Sequence, residues 1–101
     1  MEKIKHLAEK IREELNDAEN YAKDALKCEH DDKEMSRTFA ALSREELDHA
    51  ERLHKQATRI IHEHKEEHGS PPEPMQTIWS WEHMHMIEKT ACVRKLLEIL
   101  K

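Results

Sequence analysis

Apolar side chains recur every three or four residues along most of the chain, a spacing that predicts amphipathic α-helices. Three such stretches cover about residues 3–27, 33–68 and 75–100. At 1.5 Å per residue the second helix would be about 50 Å long, too long for a compact three-helix globule. We therefore expect an all-α fold, in which a long antiparallel helical hairpin is joined to a third helix within one domain, 1–101.

The ends of the second helix are marked by residues that favour helix termini. Asp31 or Asp32 can cap its start, and Gly69 is a natural residue to follow its end. The next segment, Ser70–Pro74, contains three prolines, which cannot continue a helix. It predicts a stiff connector to the third helix.

Three polar residues interrupt the apolar faces of the first two helices. Glu14 stands between Ile11 and Ala18 in the first helix, and Glu46 and His49 occupy successive positions of the apolar face of the second. Burying a carboxylate without a partner costs several kcal/mol, so these groups need partners.

Counting residues outward from the hairpin turn places the three residues at the same level along the hairpin axis. Glu14 lies sixteen residues before a turn centred near residue 30, and Glu46 lies sixteen after it. His49 is one helical turn beyond Glu46 on the same face. A buried polar network could fix the helix register here, as polar core residues do in coiled coils. Two carboxylates that meet without a cation repel each other, which favours metal binding.

Glu14 and the Glu46-x-x-His49 pair are half of a known set of metal ligands. Four-helix bundles that bind two metal ions use one Glu from each of two helices and a Glu-x-x-His pair from each of the other two. A two-fold dimer of the hairpin would supply the second half. Carboxylate and imidazole ligands are compatible with iron, zinc or manganese, so the pattern alone does not choose the metal.

The segment from Glu13 through Tyr21, followed by Arg44–Ala50, resembles the small encapsulated-ferritin-type members of the ferritin-like superfamily. With the Trp79–Glu88 region, it is also similar to uncharacterised small ferritin-like proteins of bacteria and their phages. The resemblance implies a hairpin that dimerises into a four-helix bundle around a di-iron centre that oxidises Fe(II). Tyr21 lies two turns from Glu14 on the same apolar face, so we expect either a hydrogen bond near the metal site or a core tyrosine with a satisfied hydroxyl. The chain ends in helix-forming Leu96–Lys101 instead of a capsid-docking peptide, so its C-terminus does not predict capsid association.

Two further Glu-x-x-His strings are weaker candidates for metal ligands. Glu51 and His54 lie on a different face of the second helix from Glu46. Glu82 and His85 lie mostly off the apolar stripe of the third helix. We expect neither string to bind metal directly.

The remaining histidines have simpler interpretations. His83 falls on the apolar stripe between Trp79 and Met86, so we expect a core or interface histidine with a satisfied ring. A cluster near the end of the second helix is expected to be solvated, with adventitious zinc or nickel binding as the alternative: His62, His64 and His68.

Composition limits the other functions that need considering. A single glycine excludes the phosphate-binding loops that need several, and a net charge of -5 argues against nucleic acid as a partner. The sequence has no long apolar run, so we expect no membrane association. Cys28 and Cys92 form no CxxC motif, and we expect free thiols in a reducing cytoplasm, with a single disulfide as the alternative.

Three functional hypotheses follow from these residues. The first is a ferritin-like di-iron protein that binds or oxidises Fe(II), and is a possible ferroxidase. The second is a helical assembly module of the same fold without redox turnover. The third is a structural zinc or manganese site. We also expect a homodimer or a higher even-numbered oligomer, because each chain holds only half a ligand set and its helices are too long and thinly apolar to bury themselves alone.

Overall fold

The computed structural model describes residues 2–100, which form three α-helices and no β-strand. The helices are α1 (Glu2–Cys28), α2 (Lys33–His68) and α3 (Glu73–Ile99). The predicted all-α fold of a hairpin plus a third helix is therefore confirmed for this part of the chain.

α3 begins earlier than the proline pattern suggests. Pro72 is its N-cap, and Pro74 lies within its first turn. A proline fits there because the first amides of a helix have no partner within the helix and the proline φ is already helical. The expected Ser70–Pro74 connector is therefore shorter by two residues, since Glu73 and Pro74 belong to the helix.

Both ends of α2 are closed by the residues that the sequence indicates. Asp32 caps the start: its Oδ1 accepts a hydrogen bond from the amide of Met35 at 3.0 Å. At the other end the Gly69 amide donates to the carbonyl of Lys65 at 2.8 Å. Gly69 has φ 76°, a left-handed conformation that only glycine adopts at little cost.

The molecule is elongated, as the length of α2 requires. Its extents are 55 × 17 × 17 Å. α1 packs along both other helices, whereas contact between α2 and α3 is sparse. The chain therefore has one hairpin, α1–α2, with α3 attached to α1.

Small residues let α1 and α2 approach closely. Ala18, Ala22 and Ala25 are fully buried in α1, and Val93 of α3 packs into the same cluster. Two serines of α2 join the helices by hydrogen bonds. Ser43 Oγ donates to the carbonyl of Ala18 at 2.6 Å, and Ser36 Oγ donates to that of Ala25 at 2.8 Å.

Two ion pairs set the direction and rotation of α3 on α1. Lys89 Nζ lies 2.9 Å from Glu19 Oε1, and Arg12 pairs with Glu82. Each pair joins residues seventy positions apart, so α3 runs in the same direction as α1. The Lys89 ammonium holds the pKa of Glu19 below its usual value, against the opposing effect of burial.

The state of the two cysteines and the hydropathy of the helices can be compared with the sequence predictions. Cys28 and Cys92 are both free thiols, as predicted. None of the three helices between residues 2 and 100 is long and apolar enough to cross a lipid bilayer.

Candidate metal centre

One side of the hairpin carries a row of partly buried apolar side chains, which we call the open face. Its members come from both helices: Leu7, Tyr21, Phe39, Leu42, Leu53 and Ile60. The open face lies away from α3. At 3.6 residues per turn, Glu14 is rotated by about 140–160° from Arg12 and Glu19, which contact α3.

Glu14, Glu46 and His49 lie together in the middle of the open face. One ligand atom from each residue lies within 4.8 Å of the other two. His49 Nδ1 is 3.4 Å from Glu14 Oε2 and 3.7 Å from Glu46 Oε2. The three residues that counting from the turn places at one height are thus brought together by the fold.

The 3.4 Å distance from His49 Nδ1 to Glu14 Oε2 matches the separation of two ligand atoms on one metal ion, and the 3.7 Å distance to Glu46 Oε2 is slightly longer than that separation. Strong charge-assisted hydrogen bonds are about 2.7–2.9 Å long, shorter than either His49 distance. Nitrogen and oxygen ligands about 2.1 Å from one metal ion stand roughly 3.0–3.5 Å apart. Two carboxylates and one imidazole also offer the ligand types that iron, zinc and manganese accept. The residues present therefore fit a divalent metal ion.

The cluster is partly open to solvent. The side chains of Glu14, Glu46 and His49 are 26%, 18% and 49% exposed. Nowhere else between residues 2 and 100 do three His, Cys, Asp or Glu side chains bring their ligand atoms so close. A metal ion here would take its remaining ligands from water or from another chain.

Tyr21 belongs to the packing of the open face. Its ring stacks on Phe39, with ring centroids 6.2 Å apart and an angle of 24° between the planes. This contact accounts for the position of Tyr21 without a role in chemistry. Its participation in the metal site stays a prediction.

His54 and His83 make a contact that the sequence pattern does not reveal. Their rings stack with centroids 4.9 Å apart, across the gap between α2 and α3. Burial, and then the proximity of His83, lower the pKa of His54, and the nearby Glu51 opposes this effect. Glu51 itself is exposed.

Of the core and interface positions expected for His83, the core position is wrong, whereas its stacking on His54 places it between α2 and α3. His83 is exposed, whereas Glu82 is partly buried and pairs with Arg12. That ion pair rotates α3 so that Glu82, which was expected off the packing stripe, faces α1. His85 is exposed and stacks on Trp81.

The histidines near the end of α2 have local partners. His62 Nε2 lies 2.9 Å from Glu66 Oε1, and the rings of His64 and His68 are 4.8 Å apart. His62 and His68 are exposed. These contacts agree with a solvated cluster.

Comparison of the chain with protein-family models, with curated proteins and with solved structures finds no match.

Proposed function

We propose that this chain is a ferritin-like metal-binding protein and that Glu14, Glu46 and His49 are half of a two-metal site. One observation carries the proposal: these three groups converge in the middle of the open face, with apolar residues on either side. A surface that served only for helix packing would place apolar side chains at those positions, because burying unpaired charges is costly.

A second copy of the chain is the expected source of the remaining ligands. Three ligands are fewer than the two Glu and two Glu-x-x-His pairs of a complete site. A second copy would also bury the partly exposed apolar surface on either side of the cluster, which stabilises the assembly. Two hairpins that meet through their open faces would satisfy both needs, as a four-helix bundle with paired sites at its centre.

Fe(II) is the proposed substrate. When it is bound at the site, it would be oxidised to Fe(III), with dioxygen as the oxidant. Glu14 and Glu46 would hold the ion and balance the positive charge that it gains on oxidation. The neutral His49 ring would supply a directional nitrogen ligand and fix the position of the ion. The exposed side of the cluster leaves a path for small molecules.

The same ligands would also hold zinc or manganese in a purely structural role, since the donor set does not choose the metal. A helical assembly module without redox turnover is the other alternative. Neither of these two alternatives predicts iron-dependent oxidation, so that reaction distinguishes them from the main proposal.

The test combines metal titration with aerobic Fe(II) oxidation. Calorimetry with Mn(II) should show binding to the wild type and to Glu51→Ala, and its loss in Glu46→Ala. Glu51 is the matched control because it lies five residues further along α2, turned by about 140° from Glu46, and is exposed. Equal binding by both variants would refute the site.

Aerobic addition of Fe(II) then separates the functions. A ferroxidase should develop Fe(III) absorbance faster than buffer alone, and Glu46→Ala should not. Metal binding without faster oxidation would support the structural role instead.

A further inference from the structure

A groove runs between α2 and α3 on the side of the molecule away from the open face. It has a volume of about 490 Å³ and exists because α2 and α3 both pack on α1 with little contact between them. Its lining is mainly apolar and comes from all three helices, including Ile4, Ile11, Leu15, Ala57, Trp79 and Met86. The volume falls within the roughly 300–1,000 Å³ of small-molecule sites.

The polar groups of the groove favour an anion. Arg12 and Lys65 are cationic, and three histidine rings share the lining with them. The acidic residue in the lining, Glu82, is already paired with Arg12. Because Glu82 offsets Arg12, the lining has one net positive charge, that of Lys65, although the chain as a whole has a net charge of -5.

We propose that this groove binds an amphipathic monocarboxylate, a ligand with one carboxylate and an alkyl or aryl body. The apolar body would lie against the floor formed by α1 and against Trp79. The carboxylate would lie beside the stacked rings of His54 and His83, near Arg12, where donors from all three helices converge. An apolar groove with a few convergent polar groups is the usual form of a small-molecule site.

The histidine pair makes binding of such a ligand depend on pH. In the free protein, burial and the neighbouring His83 lower the pKa of His54, so the ring is neutral near pH 7. A carboxylate beside it favours the charged form, and binding then takes up a proton. Affinity should rise as pH falls from 8 to 6. The other ionisable groups at the groove, from α1, α2 and α3 in turn, are Arg12, then Glu51 and Lys65, then Glu82 and His85.

The proposal is independent of the metal site. The groove and the metal cluster lie on opposite sides of α1, and they share no residue. Glu46→Ala should therefore leave carboxylate binding unchanged, whatever it does to metal binding. Failure of one proposal does not imply failure of the other.

Calorimetry on the intact protein tests the proposal with two probes of equal chain length, decanoate and decyltrimethylammonium, both below their micelle concentrations. We expect one decanoate per chain and an affinity about tenfold or more weaker for the cation. Equal binding of both probes, or no saturable decanoate binding, would overturn the proposal.

Paired variants locate the binding. Ser80 is exposed and lines the groove, so Ser80→Trp should fill it and weaken decanoate binding about tenfold. Thr77→Trp, on the same helix but outside the groove, should bind as the wild type does. His54→Gln should flatten the pH dependence, because it removes the ring that takes up the proton, and His62→Gln should not. A smaller oligomer in Ser80→Trp, together with unchanged decanoate binding, would show that another copy of the chain occupies the groove.

Discussion

His49 Nδ1 lies 3.4 Å from Glu14 Oε2, although thirty-five residues separate them in the chain. The hairpin turn makes this contact, because it places the middle of α1 beside the middle of α2. Glu46 joins them from one turn away on α2. A polar cluster is thereby held at the centre of a partly buried apolar surface, which is where a two-metal site of a four-helix bundle lies.

The stability of the metal-free protein distinguishes a metal site from a polar network. Glu14 and Glu46 repel each other without a cation, so Glu46→Ala should leave the metal-free protein at least as stable as the wild type. Metal at a hundredfold excess over Kd should stabilise the wild type by about 2.7 kcal/mol and raise its Tm by roughly 10 °C or more. Differential scanning calorimetry with and without Zn(II) measures both effects. If the Tm of the wild type does not change with metal, and the metal-free wild type is markedly more stable than Glu46→Ala, the result would favour a polar network that fixes the helix register.

Metal affinity should fall as the solution becomes more acidic. Ligation needs a neutral imidazole and ionised carboxylates, and protons compete for these groups as pH falls from 7.5 to 5. Titration with Mn(II) across this range should show progressive weakening. An affinity that does not change with pH would mean that Glu14, Glu46 and His49 are not the ligands.

Ser43, one of the two buried serines of the hairpin, should contribute measurably to stability. Ser43→Ala removes a 2.6 Å hydrogen bond between the helices and should lower the free energy of unfolding by about 0.5–1.5 kcal/mol. Thr38→Ala is the control, because the Thr38 hydroxyl bonds within its own helix at an exposed position. Urea unfolding should show less than about 0.5 kcal/mol for the control. Equal losses of unfolding free energy in the two variants would mean that the hydrogen bond between the helices does not stabilise the protein.

The attachment of α3 should depend on pH through Glu19. Its pKa is lowered by Lys89, so the ion pair stabilises the fold above the unfolded pKa of Glu, about 4.3, and is lost as pH falls through the folded value. Lys89→Met should cost up to about 1 kcal/mol at pH 7 and nothing near pH 2.

Lys23 provides the control for this ion pair. It lies 3.8 Å from the same carboxylate but is 55% exposed, so Lys23→Met should cost less than Lys89→Met. Urea unfolding at both pH values measures the differences. A cost for Lys89→Met that persists at low pH would assign its effect to packing.

The sequence alone predicts the three helices and the position of the polar cluster along the hairpin axis. Both depend on local rules, the 3.6-residue period and the equal distance of Glu14 and Glu46 from the turn. Asp32 and Gly69 were readable as end signals for the same reason. The early start of α3 at Glu73 does not follow from the helix-breaking effect of proline, because proline also fits the first turn of a helix.

The rotation of α3 could not be read from the sequence. It is set by the pairing of Arg12 with Glu82, a contact between residues seventy positions apart, and the connector does not fix it. Assigning His83 to the apolar stripe followed from hydrophobic spacing alone. The stacked His54–His83 pair, and the groove beside it, arise from the arrangement of all three helices.

The central claim is that one chain holds half of a two-metal site and a second copy holds the rest. Native mass spectrometry of the wild type with Zn(II) tests this claim most directly, because it counts chains and ions together. The expected result is a dimer, or a higher even-numbered assembly, that carries two ions per pair of chains, with no bound ions in Glu46→Ala. A wild type that stays monomeric at every protein and metal concentration would contradict the claim.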